Sequence, residues 1–459
     1  MDMPVGSYLP RVRSQYEQYP YPPRRPADER KKLIRTDLDY LAKINHYGFR
    51  GRQGFNGFRA LVVGGGTGDA TLFLAEQLRG KDAEIVHLDI SRASLDIARR
   101  RAEVRGLDRI QWVNRSLLEL PDLDLGRFDY INCCGVLHHL ADPAAGLMAL
   151  KSVLAPGGCM GLMIYATYGR TAIYQIQELM RRVNEDEPSI GVQIENARSV
   201  LDGLPETNWI KRGGYRYKDL ERYGDAGIYD MFLHSQDRSY TVEEMYDLVE
   251  GAGLRFIAFS NHRTRREYRP STYIRDTRLL RRLHRLPVRK RQAIGELMAG
   301  HIMQHSFYVS DQEGPVADLN DLDNVPFFFY APPTRLYETM TANPRGGVKV
   351  TFSGGLGLSF RPGRWTRYIF KYLDGVASLG EIFDRVQKET GEPVSDAELL
   401  AEFRPIYRGL KDFDWVLLRH RSVPPLPCMG GGETGGTDGG GRDESFSSSS
   451  IAGGIGIGK

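Results

Sequence analysis

The stretch RALVVGGGTGD, residues 59–69, decides the fold. An apolar run ends at Gly64, and Gly66 and Gly68 follow at alternate positions before a helical pattern begins. This reads as a buried strand feeding a glycine turn, where missing side chains let the backbone approach a ligand closely. The segment EIVHLD then reads as a second strand ending in Asp89. A carboxylate there can accept hydrogen bonds from both hydroxyls of a ribose. Together these make a βαβ unit for a nucleoside cofactor. The spacing is GxGxG rather than GxGxxG, and no GK[ST] follows to hold a triphosphate.

The downstream blocks narrow the choice. IQWVNRSLLELP reads as a third strand and an apolar turn around Leu117 and Leu118. FDYINCCGVLHHL reads as a fourth strand whose exit carries Gly135, His138 and His139. DPAAGLMALKSVLAPGG is an amphipathic helix stopped by Pro156-Gly157-Gly158, and CMGLMIYA is a fifth strand. In this order and spacing, residues 59–166 resemble the class I (Rossmann-like) S-adenosylmethionine-dependent methyltransferases. The resemblance implies an α/β fold, a doubly wound seven-stranded sheet whose last strand is inserted antiparallel, and S-adenosyl-L-methionine as cofactor. It places donor contacts at Gly64, Gly66, Gly68, Asp89, Ser116, Leu117 and Gly135. The chain departs from the family's pattern at Val62 and Ser116, where acids are usual; the serine hydroxyl can still accept one hydrogen bond.

With 459 residues, 41% of them hydrophobic and 26% charged, the chain has material for two or three domains. Its four cysteines form neither a disulfide framework nor a zinc pattern, and no metal is expected. Cys133 and Cys134 are neighbours on a strand and read as packing residues. No signal-peptide core opens the sequence and no long apolar stretch interrupts it, so a bacterial, cytoplasmic enzyme without a membrane span is expected. The net charge of +4 is concentrated in RTRREYRPSTYIRDTRLLRRLHRLPVRKR, residues 263–291. Such a run can meet nucleic acid or an acidic substrate. The favoured reading is a helix with Leu279, Leu280, Leu283 and Leu286 as its buried stripe and solvated arginines elsewhere. Nucleic acid is therefore not the expected partner.

The organisation reads as an N-terminal arm with a short helix (1–58) and a methyltransferase domain (59–310) with helical insertions at 167–240 and 261–304. A linker (311–342) leads to a small α+β domain (343–421), followed by a Gly/Ser-rich tail (422–459). Low apolar content makes the tail a disordered segment. Its Lys459 raises the idea of a self-modified tail, but a solubilising linker is the plainer reading. The aromatic run Phe327 to Tyr330 reads as a tether packed into a core. The order helix, LDG turn, helix, strands in 343–421 suggests a winged-helix-like unit. It resembles the C-terminal accessory domain of some bacterial protein-lysine methyltransferases.

Methyl transfer from a sulfonium is an in-line displacement, and positioning alone can supply about 7 to 11 kcal/mol. Reacting groups of a doubly wound sheet gather at the carboxyl ends of its strands. That places His138, His139, Tyr165 and Tyr168 at the mouth, with His138 the leading candidate and His139 the more structural one. The segment LHSQDRSY supplies His234, Asp237 and Arg238, of which His234 and Asp237 are candidate catalytic residues. Tyr16 and Tyr21, beside Pro20 and Pro22, can form a stiff lid over the donor. A protein or peptide amine, lysine-like, is the expected acceptor; a small quinone- or metabolite-type molecule is the alternative. A non-catalytic donor-binding adaptor is a third reading, and a homodimer is possible on any of them.

Overall fold

The computed structural model describes residues 10–212, 218–260, 262–330, 334–342, 346–351, 357–429 and 455–458. Pro332-Pro333, Lys459 and most of the Gly/Ser-rich tail lie outside the described residues. The chain divides into two units. One comprises residues 1–39 and 55–313, the other 40–54 and 314–459.

The first unit is built on seven strands: β1 Phe58–Val63, β2 Ala83–Asp89, β3 Ile110–Asn114, β4 Phe128–Cys134, β5 Leu154–Tyr165, β6 Arg255–Phe259 and β7 Gln304–Ser310. Their order is β3-β2-β1-β4-β5-β7-β6. All neighbouring pairs run parallel except those of β7, which is antiparallel to both β5 and β6. This is the doubly wound α/β methyltransferase sheet that residues 59–166 imply. β1 is buried at every position but Arg59 because helices cover both faces of a parallel sheet. Ser91 caps the helix Arg92–Arg105 through the Ser94 N–H, and Thr241 with Glu244 forms a capping box on Val242–Gly251. Cys133 and Cys159 are buried among apolar neighbours; Cys134 is exposed at the strand end. The insertion after β5 has its own apolar cluster, in which Ile173, Ile176 and Met180 of the helix Thr171–Val183 pack with Ile194, Ile228 and Phe232.

The basic run departs from the expected buried stripe. Leu283 is buried, but Leu279 remains 40% and Leu286 36% exposed. The helix Thr277–His284 is too short to bury more than one turn of leucines.

The second unit recruits residues 40–54, which the sequence groups with the N-terminal arm. Every residue of the helix Leu41–Gly48 is buried there. Lys43 Nζ lies 3.0 Å from Asp414 Oδ2 with both side chains fully buried, and the Tyr47 hydroxyl donates to the same carboxylate. Phe327 and Phe328 of the aromatic run close β8, Asn324–Phe328, and Phe329 just beyond it is fully buried. After β9, Gly347–Thr351, and β10, Gly357–Phe360, the chain closes on β11, Val416–His420, which pairs antiparallel with β8. Phe328 meets Trp415 edge-on at 5.6 Å between ring centroids. A last strand, β12 at Ile455–Gly458, pairs with β9.

Candidate active site

The residues expected to hold the donor lie where the strand order reverses, with β1 between β2 and β4. Gly64, Gly66 and Gly68 adopt φ of +60°, +53° and +105°, values that side-chain-bearing residues rarely take. The Gly66 N–H donates to Asp89 Oδ2 at 2.8 Å, and the Ser91 N–H donates to Oδ1 at 2.7 Å. Asp89 thus ties the glycine turn to the end of β2. Burial raises its carboxyl to about 6, against the pull of those two N–H bonds.

The N-terminal arm lies directly on this loop. A Cβ at Gly66 would stand 2.6 Å from the Tyr21 carbonyl oxygen, and Thr67 Oγ1 donates to the Pro22 carbonyl at 2.7 Å. Ser91 Oγ donates to the Tyr16 carbonyl at 2.9 Å. The Glu17 carboxylate accepts the N–H groups of Arg92 and Ala93, complementing the positive end of that helix. The other expected donor contacts have local duties as well. Ser116 Oγ accepts the Leu118 N–H and forms a capping box with Glu119. Leu117 is buried in the core, and Gly135 turns out of β4 at φ +79°.

The candidate catalytic residues gather at the exits of β4 and β5. His138 is fully buried and stacks on Tyr165 at 3.8 Å between centroids. His139 stacks on His234 at 3.8 Å, nearly parallel. The peptide of Gln236 sets the tautomers of this second pair. Its N–H donates to His234 Nδ1 at 3.1 Å, so the His234 proton resides on Nε2. Its carbonyl lies 2.9 Å from His139 Nδ1, which must donate and leaves His139 Nε2 bare. The Tyr16 hydroxyl lies 3.4 Å from His234 Nε2 and donates to Asp230 Oδ1 at 3.1 Å. Burial pushes His139 down to about 4 and holds His138 and His234 well below the usual histidine range, so all three rings are neutral near pH 7.

His139, Asp230 and His234 each bring a potential metal-ligand atom within 4.8 Å of the others. Gln236 leaves a bare nitrogen on His139 alone. The trio as folded is a hydrogen-bonded cluster, not a prepared metal cradle.

Arg170 escapes the sequence reading, although it follows the fifth strand in the same turn as Tyr168. Its guanidinium lies 3.5 Å from the Tyr165 ring centroid, and its side chain is 5% exposed. Asp237 faces it at 3.7 Å and accepts from Gln177 Nε2 at 2.9 Å, so its carboxylate orients neighbours. Both ring nitrogens of His138, and Nε and Nη2 of Arg170, are among the buried polar atoms without a hydrogen-bond partner. Buried polar atoms rarely remain unpaired, and clusters of them mark places where a ligand completes the set. Of the expected catalytic residues, His138, His234 and Asp237 all fall in this cluster, with Tyr16. Arg238 does not; it is exposed and paired with Glu244 at 3.6 Å.

Residues 61–160 match a family model described as a methyltransferase domain. An uncharacterised protein of Synechococcus sp. is 34% identical over 71% of this chain and 76% of its own length. A ubiquinone biosynthesis O-methyltransferase of Alkalilimnicola ehrlichii is 27% identical over 49% of this chain and 79% of its own. Among solved structures, PKMT2 from Rickettsia typhi in complex with AdoHcy superposes with a TM-score of 0.60 at 15% identity. That match covers 84% of this chain and 76% of the other.

Proposed function

Because the chain belongs to the class I S-adenosylmethionine-dependent methyltransferases, we propose that it moves the methyl group of its donor to an acidic oxygen, phenolic or carboxylic, of its acceptor. The observation that carries this reading is a pair of buried groups: His138, whose two ring nitrogens lack a hydrogen bond, and Arg170, whose Nε and Nη2 lack one although Asp237 stands 3.7 Å from Nη2. The Arg170 N–H groups can only donate, and a neutral amine has a single lone pair, which its attack on the methyl carbon consumes. A phenolic or carboxyl oxygen has lone pairs for Arg170 and suits a neutral histidine as well. In the transfer the oxygen attacks the methyl carbon, the carbon–sulfur bond breaks, and S-adenosylhomocysteine leaves. A phenol also releases its proton, for which His139 Nε2 is the open lone pair; a carboxylate releases none. Burial of the cluster excludes water and strengthens every electrostatic contact within it. The O-methyltransferase of A. ehrlichii agrees with this reading.

A protein amine is the second reading, favoured by the accessory unit and by the fold shared with PKMT2 over most of the chain. Tritiated donor incubated with a cell lysate separates the two. O-methyl products appear as alkali-released methanol from esters or as stable aryl ethers. Label recovered as methyl-lysine after acid hydrolysis, with none in oxygen-linked products, would overturn the oxygen reading.

A further inference from the structure

The arginine run between β6 and β7 falls into two parts with different surroundings. Arg289 pairs with Asp247 at 2.6 Å and Lys290 with Glu243 at 2.6 Å, so these cations hold one helix to another. Arg278, Arg281, Arg282 and Arg285 are exposed, and none has a carboxylate within ion-pair distance among the described residues. Asp276, the acid nearest in sequence, is occupied as the N-cap, accepting from the N–H groups of Arg278 and Leu279. The four arginines recur at i, i+3, i+4 and i+7, which sets them along one face of the helix Thr277–His284 and its cap. Leu283 lies on the opposite side and is buried, while Leu279 and Leu286 stay partly exposed at the margin of the basic face. Tyr273, 37% exposed, stands at the head of this helix.

Topology brings this face to the working edge of the sheet. β6 ends and β7 begins at the edge where β1, β2, β4 and β5 deliver the glycine turn, Asp89, His138 and Tyr165. The return to β7 reaches this region as well: a Cβ on Gly169, one residue before Arg170, would run into the Ile302 carbonyl.

We infer that Arg278, Arg281, Arg282 and Arg285 form a docking surface for the phosphate backbone of single-stranded RNA at the catalytic edge of the first unit. A row of unpaired guanidiniums matches successive phosphates, and an exposed tyrosine beside it offers a platform for a base. The inference uses the oxygen-acceptor reading only in placing the reacting group at that edge.

The test is fluorescence anisotropy of a labelled single-stranded RNA oligonucleotide with the full chain. Four neutralised phosphates predict that affinity falls about 50-fold between 50 and 200 mM salt. The variant R278Q/R281Q/R282Q/R285Q should lose at least tenfold in affinity and most of the salt dependence. Its S-adenosylhomocysteine affinity by calorimetry should stay within a factor of two, which checks that the fold survives. Equal RNA affinity of variant and wild type, salt-independent binding, or co-sedimentation with phosphatidylglycerol vesicles without RNA binding would each overturn the inference. Because the assay reads binding and not methylation, its failure leaves the oxygen-acceptor reading standing.

Discussion

The Tyr16 hydroxyl donates to Asp230 across 214 positions of sequence, at 3.1 Å, while the Tyr16 carbonyl accepts from Ser91, whose N–H in turn donates to Asp89. One residue of the N-terminal arm therefore links both groups of candidate residues. Burial and the Asp230 carboxylate together hold the Tyr16 phenol well above its usual range, so it stays protonated and donates throughout the physiological window.

Tyr16→Phe should loosen the arm. It removes a hydrogen bond to a buried charge, typically about 1.5 to 3 kcal/mol, and leaves Asp230 short of a donor. Amide exchange across residues 10–24 should accelerate, and the donor should dissociate about tenfold faster. Unchanged exchange in the arm together with unchanged donor release would mean that Tyr16 closes nothing.

Donor binding should depend on pH through Asp89. Its carboxyl is raised from its ordinary 3.8 to about 6 by burial. For the fold, the sign runs toward acid: the stabilisation is present below about 4 and is lost, by about 3 kcal/mol, as pH rises through 6. For the donor the sign reverses, because ribose hydroxyls need the carboxylate as acceptor. Affinity should therefore fall as pH drops below 6, and binding near pH 5 should release up to one proton. Calorimetry in two buffers of different ionisation enthalpy measures that proton directly. Asp89→Ala should abolish the pH dependence and cost at least tenfold in affinity at pH 7; affinity within a factor of two of wild type would remove Asp89 from the donor site.

The expected donor site was legible because its signals are local. Three glycines needing positive φ, a strand ending in an acid and a turn of fixed length all sit within one βαβ unit. The residues at the exits of β4 and β5 come from four separated stretches; LHSQDRSY and the His138-His139 exit of the fourth strand carried a signal in sequence, but nothing in it showed that they meet. Arg170 was invisible because a lone arginine after a strand looks like any solvated one. Its meaning comes from burial against Tyr165, which depends on the insertion folding back. The helix Leu41–Gly48 fails to read as core for a similar reason. Lys43 in its middle looks like a solvent-facing residue until Asp414, far along the chain, is found beside it.

That pair makes the second unit sensitive to one substitution. Asp414→Ala leaves Lys43 charged in a fully buried site, and breaking one partner of such a pair typically costs about 3 to 5 kcal/mol. The expected result is a lowered unfolding transition by calorimetry, with the Trp415 fluorescence changing in that same transition. A loss of no more than about 0.5 kcal/mol, the scale of an ordinary surface change, would show that Lys43 finds water or another acceptor.

His138→Phe separates a structural from a functional histidine. Its main chain is engaged regardless, since the His138 carbonyl accepts the Arg238 N–H at 3.0 Å. The ring is another matter: both nitrogens are buried without a hydrogen-bond partner, one face stacks on Tyr165, and the His139 ring meets it tilted at 4.2 Å. A phenyl ring keeps those stacking contacts and removes two unsatisfied polar atoms. Replacing an unpaired buried polar group by an apolar one of similar shape is close to neutral or stabilising, by about 1 kcal/mol. The folded protein should therefore melt at the same temperature or slightly higher, and donor affinity, set by Asp89 and the glycine turn, should hardly move. Methyl transfer should fall about 100-fold, because the ring no longer meets the acceptor oxygen. A variant that melts lower yet transfers methyl at the wild-type rate would make His138 a packing residue. The acceptor oxygen would then have to be held by Arg170 alone.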